Sequence, residues 1–134
     1  MSQKPPSLAG LHHVALNSAN YEATRSFYID LLGFDVEWEP DSDNVYLTTG
    51  SDNLAIHRSE STTEGSNQRL DHIGMLVHKM TDVDLWYQSL VEHDVKIIAE
   101  PKTHRDGARS FYCEDPEGTT VQVIFHPPIS KNFA

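Results

Sequence analysis

The chain has 134 residues, the size of one ordinary domain, with a formal net charge of −10 and the composition of a globular protein. The acidic balance argues against a nucleic-acid partner, and the lysines and arginines do not cluster as membrane-surface binding would require. One cysteine, Cys113, excludes an internal disulfide; no apolar run approaches the roughly 18 residues of a membrane span, and the start MSQKPPS lacks a signal-peptide core, so a cytoplasmic address is expected.

The first element is LHHVALN, residues 11–17. Strand residues alternate faces, so Leu11, His13 and Ala15 share one side and His12, Val14 and Leu16 the other. A helix is expected in SANYEATRSFYIDLLG, where Thr24, Phe27, Tyr28 and Leu31 fall at helical spacing and Gly33 is placed to end it. Three short strands follow near DVEWE, NVYLTT and LAIHR, with the turn signal TTGSDN before the last. SESTTEGSNQ is polar and reads as a linker. LDHIGML at 70–76 then opens a second series. Thr81 and Asp84 form a capping-box-like start, and Val83, Trp86, Tyr87, Leu90 and Val91 make an apolar helical stripe. Strands near VKIIAE, RSFYCE and TVQVIFH complete the series, with EDPEG as a turn.

The two series are one unit written twice. LHHVALN returns as LDHIGML, placing His72 over His13 at an offset of 59. The offset carries YIDLLGFDV onto YQSLVEHDV. Further on it becomes 65, laying LAIHR over TTVQV and pairing His57 with Gln122; the difference is an insertion in AEPKTHRDGAR. The fold class is therefore α+β: two tandem βαβββ modules, each a curved mixed sheet with its helix on the convex side. We expect a single domain over 1–134, with module one at about 9–58, a linker at about 59–69 and module two at about 70–127.

Strand parity assigns the faces. Val121, Val123 and Phe125 belong under the helix, which leaves Gln122 on the concave side. Leu54 and Ile56 place His57 on the concave side of module one. Val14, Leu16, Ile73 and Met75 do the same for His13 and His72, beside the small residues Ala15 and Gly74. His13 is thus expected to face a cavity rather than a helix.

Three stretches carry a family resemblance: LHHVALNSANYEATRSFYIDLLGF, LDHIGMLV with the capped helix behind it, and RSFYCEDPEGTTVQV. Over roughly residues 9–126 the chain resembles the vicinal oxygen chelate superfamily, which contains glyoxalase I, fosfomycin-resistance enzymes, extradiol dioxygenases and bleomycin-resistance proteins. The resemblance implies metal ligands on the first and last strands of each module, which here are His13, His57, His72 and Gln122. It implies a homodimer in which each site mixes strands from both chains. It also marks Tyr112 as a substrate-facing residue. The chain departs from the family pattern in having no carboxylate at any of the four ligand positions, and Ala15 stands where fosfomycin-resistance enzymes have threonine.

Three imidazoles and a carboxamide form an uncharged shell suited to a divalent ion such as Zn, Ni, Fe or Mn. Such a shell favours an anionic or enolisable small-molecule ligand, with the ion as a Lewis acid. The competing expectation is a metal-free protein of the bleomycin-resistance type, which the missing carboxylates favour. A third is an accessory dimer with no chemistry. His12 reads as structural, and His78, His93, His104 and His126 as surface residues.

Overall fold

A computed structural model describes residue 5 and residues 11–62 and 70–130. The start of module one near residue 9 and most of the linker, 63–69, lie outside the described residues. The element order is β1 (His13–Ser18), α1 (Tyr21–Ser26) continued by one π-helical turn (Phe27–Leu31), β2 (Asp35–Asp41), β3 (Asn44–Thr48), β4 (Asn53–Arg58), β5 (Ile73–Leu76), α2 (Met80–Glu92), β6 (Ile97–Thr103), β7 (Arg109–Glu114), β8 (Thr120–Phe125) and the short α3 (Pro127–Ser130). There are two four-stranded sheets, ordered β1-β4-β3-β2 and β5-β8-β7-β6. In each, the opening strand runs parallel to the last strand and the other pairs are antiparallel. This is βαβββ twice.

The alternation sorts the side chains as the sequence implies. Leu16, Leu54, Ile56, Val121 and Val123 are buried, while His13, Ala15, Asn17, His72 and Gly74 are exposed. Val83 and Leu90 of α2 join Phe111, Cys113, Val121 and Val123 in one cluster that also contains Tyr28, Phe34, Val45 and Leu47 of module one. The tyrosine ring of Tyr87 meets Phe111 edge-on at 5.5 Å. Burial of this apolar surface is the main term favouring the fold.

Details at the helix ends differ from expectation. α2 starts after Lys79, and the Asp82 carboxylate accepts the Lys79 N–H at 3.2 Å. Asp84 instead forms a two-pronged ion pair with Arg109 on β7. Val91 is 45% exposed, so the apolar stripe ends at Leu90. The first helix does run to the expected glycine, Gly33 at φ +82°, but widens to π geometry over its last turn, with Leu32 N–H reaching Phe27 C=O at 3.1 Å. Gly33 is the residue type that adopts this left-handed conformation without strain.

The repeat register corrects one correspondence. Ala15 pairs with Ala55, and Gly74 pairs with Gln122. The module-one counterpart of Gln122 is therefore Ala55, not His57, which lies two residues further along β4. A shift of two residues preserves every face assignment, so apolar patterning alone accepts both alignments; only the pairing of β1 with β4 distinguishes them.

The modules of one chain are tied through polar contacts. Tyr28, fully buried, donates to Asp115 Oδ2 at 2.8 Å. Glu117, on the same turn of module two, accepts from Ser18 Oγ at 3.0 Å, from Asn20 N–H at 2.8 Å and from the Thr62 hydroxyl. Among the described residues no helix is long and apolar enough to cross a membrane.

Candidate functional site

The candidate residues occupy the open faces of the two sheets, in separate groups. In module two, β5, β7 and β8 bring three of them together. Tyr112 and Gln122 are cross-strand neighbours, and the Gln122 amide Nε2–H donates to the Tyr112 hydroxyl at 3.0 Å. With the amide nitrogen so engaged, Oε1 points the other way, over Gly74; a Cβ added at Gly74 would lie 3.4 Å from it. His72 stands just before β5 with its ring edge-on to Tyr112 at 5.4 Å, and its Nδ1 lies 2.6 Å from Asp71 Oδ2. The small residue at 74 thus leaves room for the amide oxygen.

In module one His13 and His57 share the open face but do not meet. His13 pairs with Asn53, and His57 pairs with Asn17, four residues on. His13 Nδ1 lies 2.6 Å from Asn53 Oδ1, and His57 Nδ1 lies 2.6 Å from Asn44 Oδ1. Each of these oxygens accepts the Nδ1 proton, so Nε2 carries the lone pair in both rings. Asp71 does the same for His72. Such a bond on one ring nitrogen sets the other as ligand or base.

Trp38 on β2 and Tyr46 on β3 are further residues of this face, and bulges in β2 hide the parity of Trp38 from the sequence. The bulge between Val36 and Trp38 puts Trp38 in register with Tyr46, on the open face. Their rings stack at 5.1 Å with 24° between planes, and Tyr46 meets His57 edge-on at 5.9 Å. Ala55, the cross-strand partner of Tyr46, is fully buried. Module one therefore offers an aromatic wall where module two has Tyr112 and Gln122.

His12 Nδ1–H donates to Ser51 C=O at 3.1 Å, in keeping with its structural reading. Cys113 is buried, and burial pushes its thiol up to about 12, so it is not a nucleophile at neutral pH. The acids of EDPEG do not all point to solvent as an ordinary turn would have them: Asp115 is buried, and Glu117 is the inter-module acceptor already described. Asp115 has its carboxyl raised, chiefly by burial, against the opposing hydrogen bond from Tyr28. Among the described residues of one chain, no three His, Cys, Asp or Glu side chains converge to hold an ion. A cavity of about 430 Å³ does reach Gly74 from the Thr49–Asp52 turn, but His13, His57, Tyr112 and Gln122 are not in its wall.

A sequence model described as Glyoxalase/Bleomycin resistance protein/Dioxygenase superfamily matches residues 10–123. The chain belongs to that superfamily. The metallothiol transferase FosB of Staphylococcus haemolyticus is 23% identical over 117 residues, 87% of this chain and 83% of the relative. A manganese-dependent 2,3-dihydroxybiphenyl 1,2-dioxygenase of Geobacillus genomosp. 3 is 24% identical over 119 residues, 88% of this chain and 37% of that protein. Among solved structures, lactoylglutathione lyase from Agrobacterium tumefaciens superposes with a TM-score of 0.74 at 20% identity, covering 94% of this chain and 98% of that one. A glyoxalase family protein from Enterococcus faecalis gives 0.71 at 27% identity, covering 87% and 97%. The superfamily includes enzymes of several chemistries on this fold, so the reaction must be argued from the site.

Proposed function

We propose that this member of the superfamily is a divalent-metal-binding enzyme acting on a small carbonyl-bearing or anionic molecule, in sites shared between the two chains of a homodimer. The observation that carries the reading is the paired arrangement of oriented imidazoles. His13 and His72 occupy matching places on exposed strand faces, each with Nδ1 bound to an oxygen acceptor. Gln122 Oε1 is held over Gly74, on the same face. One chain keeps the two groups apart, so the shared site draws His13 from one chain and His72 with Gln122 from the other. His57, offset along β4, sits outside this trio and serves as the proton acceptor, since Asn44 leaves its Nε2 lone pair available.

The donor set fits a borderline ion such as Zn, Ni, Fe or Mn, and being uncharged it leaves the ion's charge to be balanced by the substrate. When bound, the ion supplies Lewis-acid polarisation of a substrate oxygen. The chain's own residues do the rest. Tyr112 fixes the rotamer of Gln122, and Trp38 with Tyr46 provides a flat apolar wall against which a substrate is oriented.

The stacked Trp38 and Tyr46, with Ala55 where a fourth ligand would stand, favour a second reading: a metal-free protein that sequesters a flat aromatic ligand. The two separate cleanly. Elemental analysis and calorimetry on the untagged protein should find one divalent ion per shared site, with binding lost in His13→Ala and in His72→Ala. Identical melting of metal-loaded and metal-stripped protein, with no heat of binding, removes the metal reading. Quenching of Trp38 fluorescence by planar aromatic compounds in that same metal-blind protein would then establish the second.

A further inference from the structure

We infer that Glu37 and Asp41 are positioning residues for His13 and His57, each acting through an asparagine to fix which ring nitrogen carries the proton. The superfamily assignment says nothing of these four residues, and the ligand positions themselves hold no carboxylate. The carboxylates stand one step behind. Asn53 Oδ1 accepts a hydrogen bond from His13 Nδ1–H at 2.6 Å, and its Nδ2 donates to Glu37 Oε2 at 3.1 Å. Asn44 Oδ1 accepts a hydrogen bond from His57 Nδ1–H at 2.6 Å, and its Nδ2 donates to Asp41, 3.0 Å from Oδ1 and 3.3 Å from Oδ2.

The topology makes the two relays alike. Each asparagine is the cross-strand partner of its histidine, Asn53 to His13 and Asn44 to His57. Both carboxylates come from β2, whose two bulges flank Trp38. The first bulge contains Glu37, the extra residue between the Val36 and Trp38 pairs; the second precedes Asp41, which pairs with Asn44. Bulges re-aim side chains in this way.

The chemistry is directional. An ionised carboxylate only accepts hydrogen bonds. Glu37 therefore compels Asn53 to present Nδ2 to it, which turns Oδ1 towards His13. An amide oxygen also only accepts, so His13 must carry its proton on Nδ1. The lone pair is then on Nε2, the nitrogen left for an ion, a substrate proton or a substrate hydrogen bond. Asp41 imposes the same sequence on His57 through Asn44. Asp41 also accepts the Asp43 N–H at 2.8 Å, which fixes the carboxylate in place. In module two His72 has Asp71 on Nδ1 directly. The inference deepens the metal reading by naming what orients its imidazoles, yet the tautomers are measurable with no ion present.

The test uses the full chain with ¹⁵N-labelled histidine and a chelator, at about pH 8, above the ordinary histidine range. Two-bond proton–nitrogen correlations report the tautomer of each ring. The parent protein should show Nδ1–H for both His13 and His57. Glu37→Gln keeps the size but lets residue 37 donate or accept, so Asn53 is free to turn over. The Nδ1–H to Nε2–H ratio of His13 should fall by about threefold to tenfold, the range that one exposed hydrogen bond holds. His57 and the backbone-anchored His12 should not change. Asp41→Asn should do the converse. Nε2–H at either ring in the parent, a variant that leaves its own histidine unaltered, or one that alters both rings together overturns the proposal. Ion binding is then titrated separately. Tautomers that follow the carboxylates in a protein that binds no ion sink the metal reading and keep the relays. Bound metal with tautomers indifferent to both variants does the reverse.

Discussion

Tyr28→Phe is the sharpest test of how the modules are joined. The ring packs edge-on to Phe27 at 5.1 Å and to Phe34 at 5.7 Å, contacts that phenylalanine keeps. Only the hydroxyl is lost, and with it the 2.8 Å bond to Asp115 Oδ2. Asp115 is 4% exposed and retains two donors on Oδ1, the backbone N–H groups of Glu117 and Thr119, each at 2.9 Å. A hydrogen bond to a buried charge is worth about 1.5–3 kcal/mol. For a chain of this length that corresponds to a melting temperature lower by about 5–10 °C at neutral pH. The pH dependence follows from the raised Asp115 carboxyl, a shift caused chiefly by burial and opposed by Tyr28. The folded protein holds this proton where the unfolded chain has lost it. The contribution to folding is therefore full below the ordinary carboxylate range and fades as pH rises through the folded value. At neutral pH the ionised group is a net cost, which the Tyr28 hydroxyl reduces. The penalty of Tyr28→Phe should be largest there and shrink on acidification, as Asp115 takes up its proton. Thermal melts of both proteins between about pH 4 and pH 7 measure this. A change under about 1 °C at neutral pH, or a penalty that grows with acid, refutes the reasoning.

Three further outcomes are expected. Gln122→Glu adds an anionic oxygen where the amide oxygen now lies over Gly74, and calorimetry should find divalent-ion affinity higher by about tenfold or more; a variant that is less stable and still metal-blind counts for the metal-free reading. Glu117 has its carboxyl lowered, because burial, which raises it, is outweighed by hydrogen bonds from Thr62, Asn20, Ala19 and Ser18. Its contribution is present above the ordinary carboxylate range and lost as pH falls through the lowered value, so the destabilisation of Glu117→Gln in urea melts should narrow in acid. Trp38→Ala removes a side chain that is 58% exposed, so the cost in stability should stay below about 1 kcal/mol. Binding of flat aromatic ligands, followed by calorimetry, should weaken by about tenfold, since the stacking surface with Tyr46 is gone.

The internal repeat and the helical spacings were enough to determine the fold class and the two modules, and alternation along the opening and closing strands the faces. Val121 and Val123 inward oblige Gln122 outward, and Leu16 inward obliges His13 outward, whatever the sheets do next. Side-chain period two has a blind spot, however: a slip of two residues leaves every face unchanged. The parallel pairing of β1 with β4 and of β5 with β8 decided that Ala55, not His57, matches Gln122. Bulges lay beyond the sequence for a related reason, since an extra residue breaks the parity on which the reading depends. Trp38 on the aromatic wall and Glu37 behind Asn53 could be found only from the pairing of β2 with β3. Asp115 and Glu117 of the EDPEG turn follow the same logic. Nothing local distinguishes Asp115 and Glu117 from solvated turn residues; Tyr28, Ser18 and Asn20 of the other module and Thr62 of the linker, which claim them, meet them only when the chain has folded. What a residue's neighbours in the chain decide is local geometry and facing. What its neighbours in space decide is register, polar partners and charge state, because those energies arise only once the strands and modules are in contact.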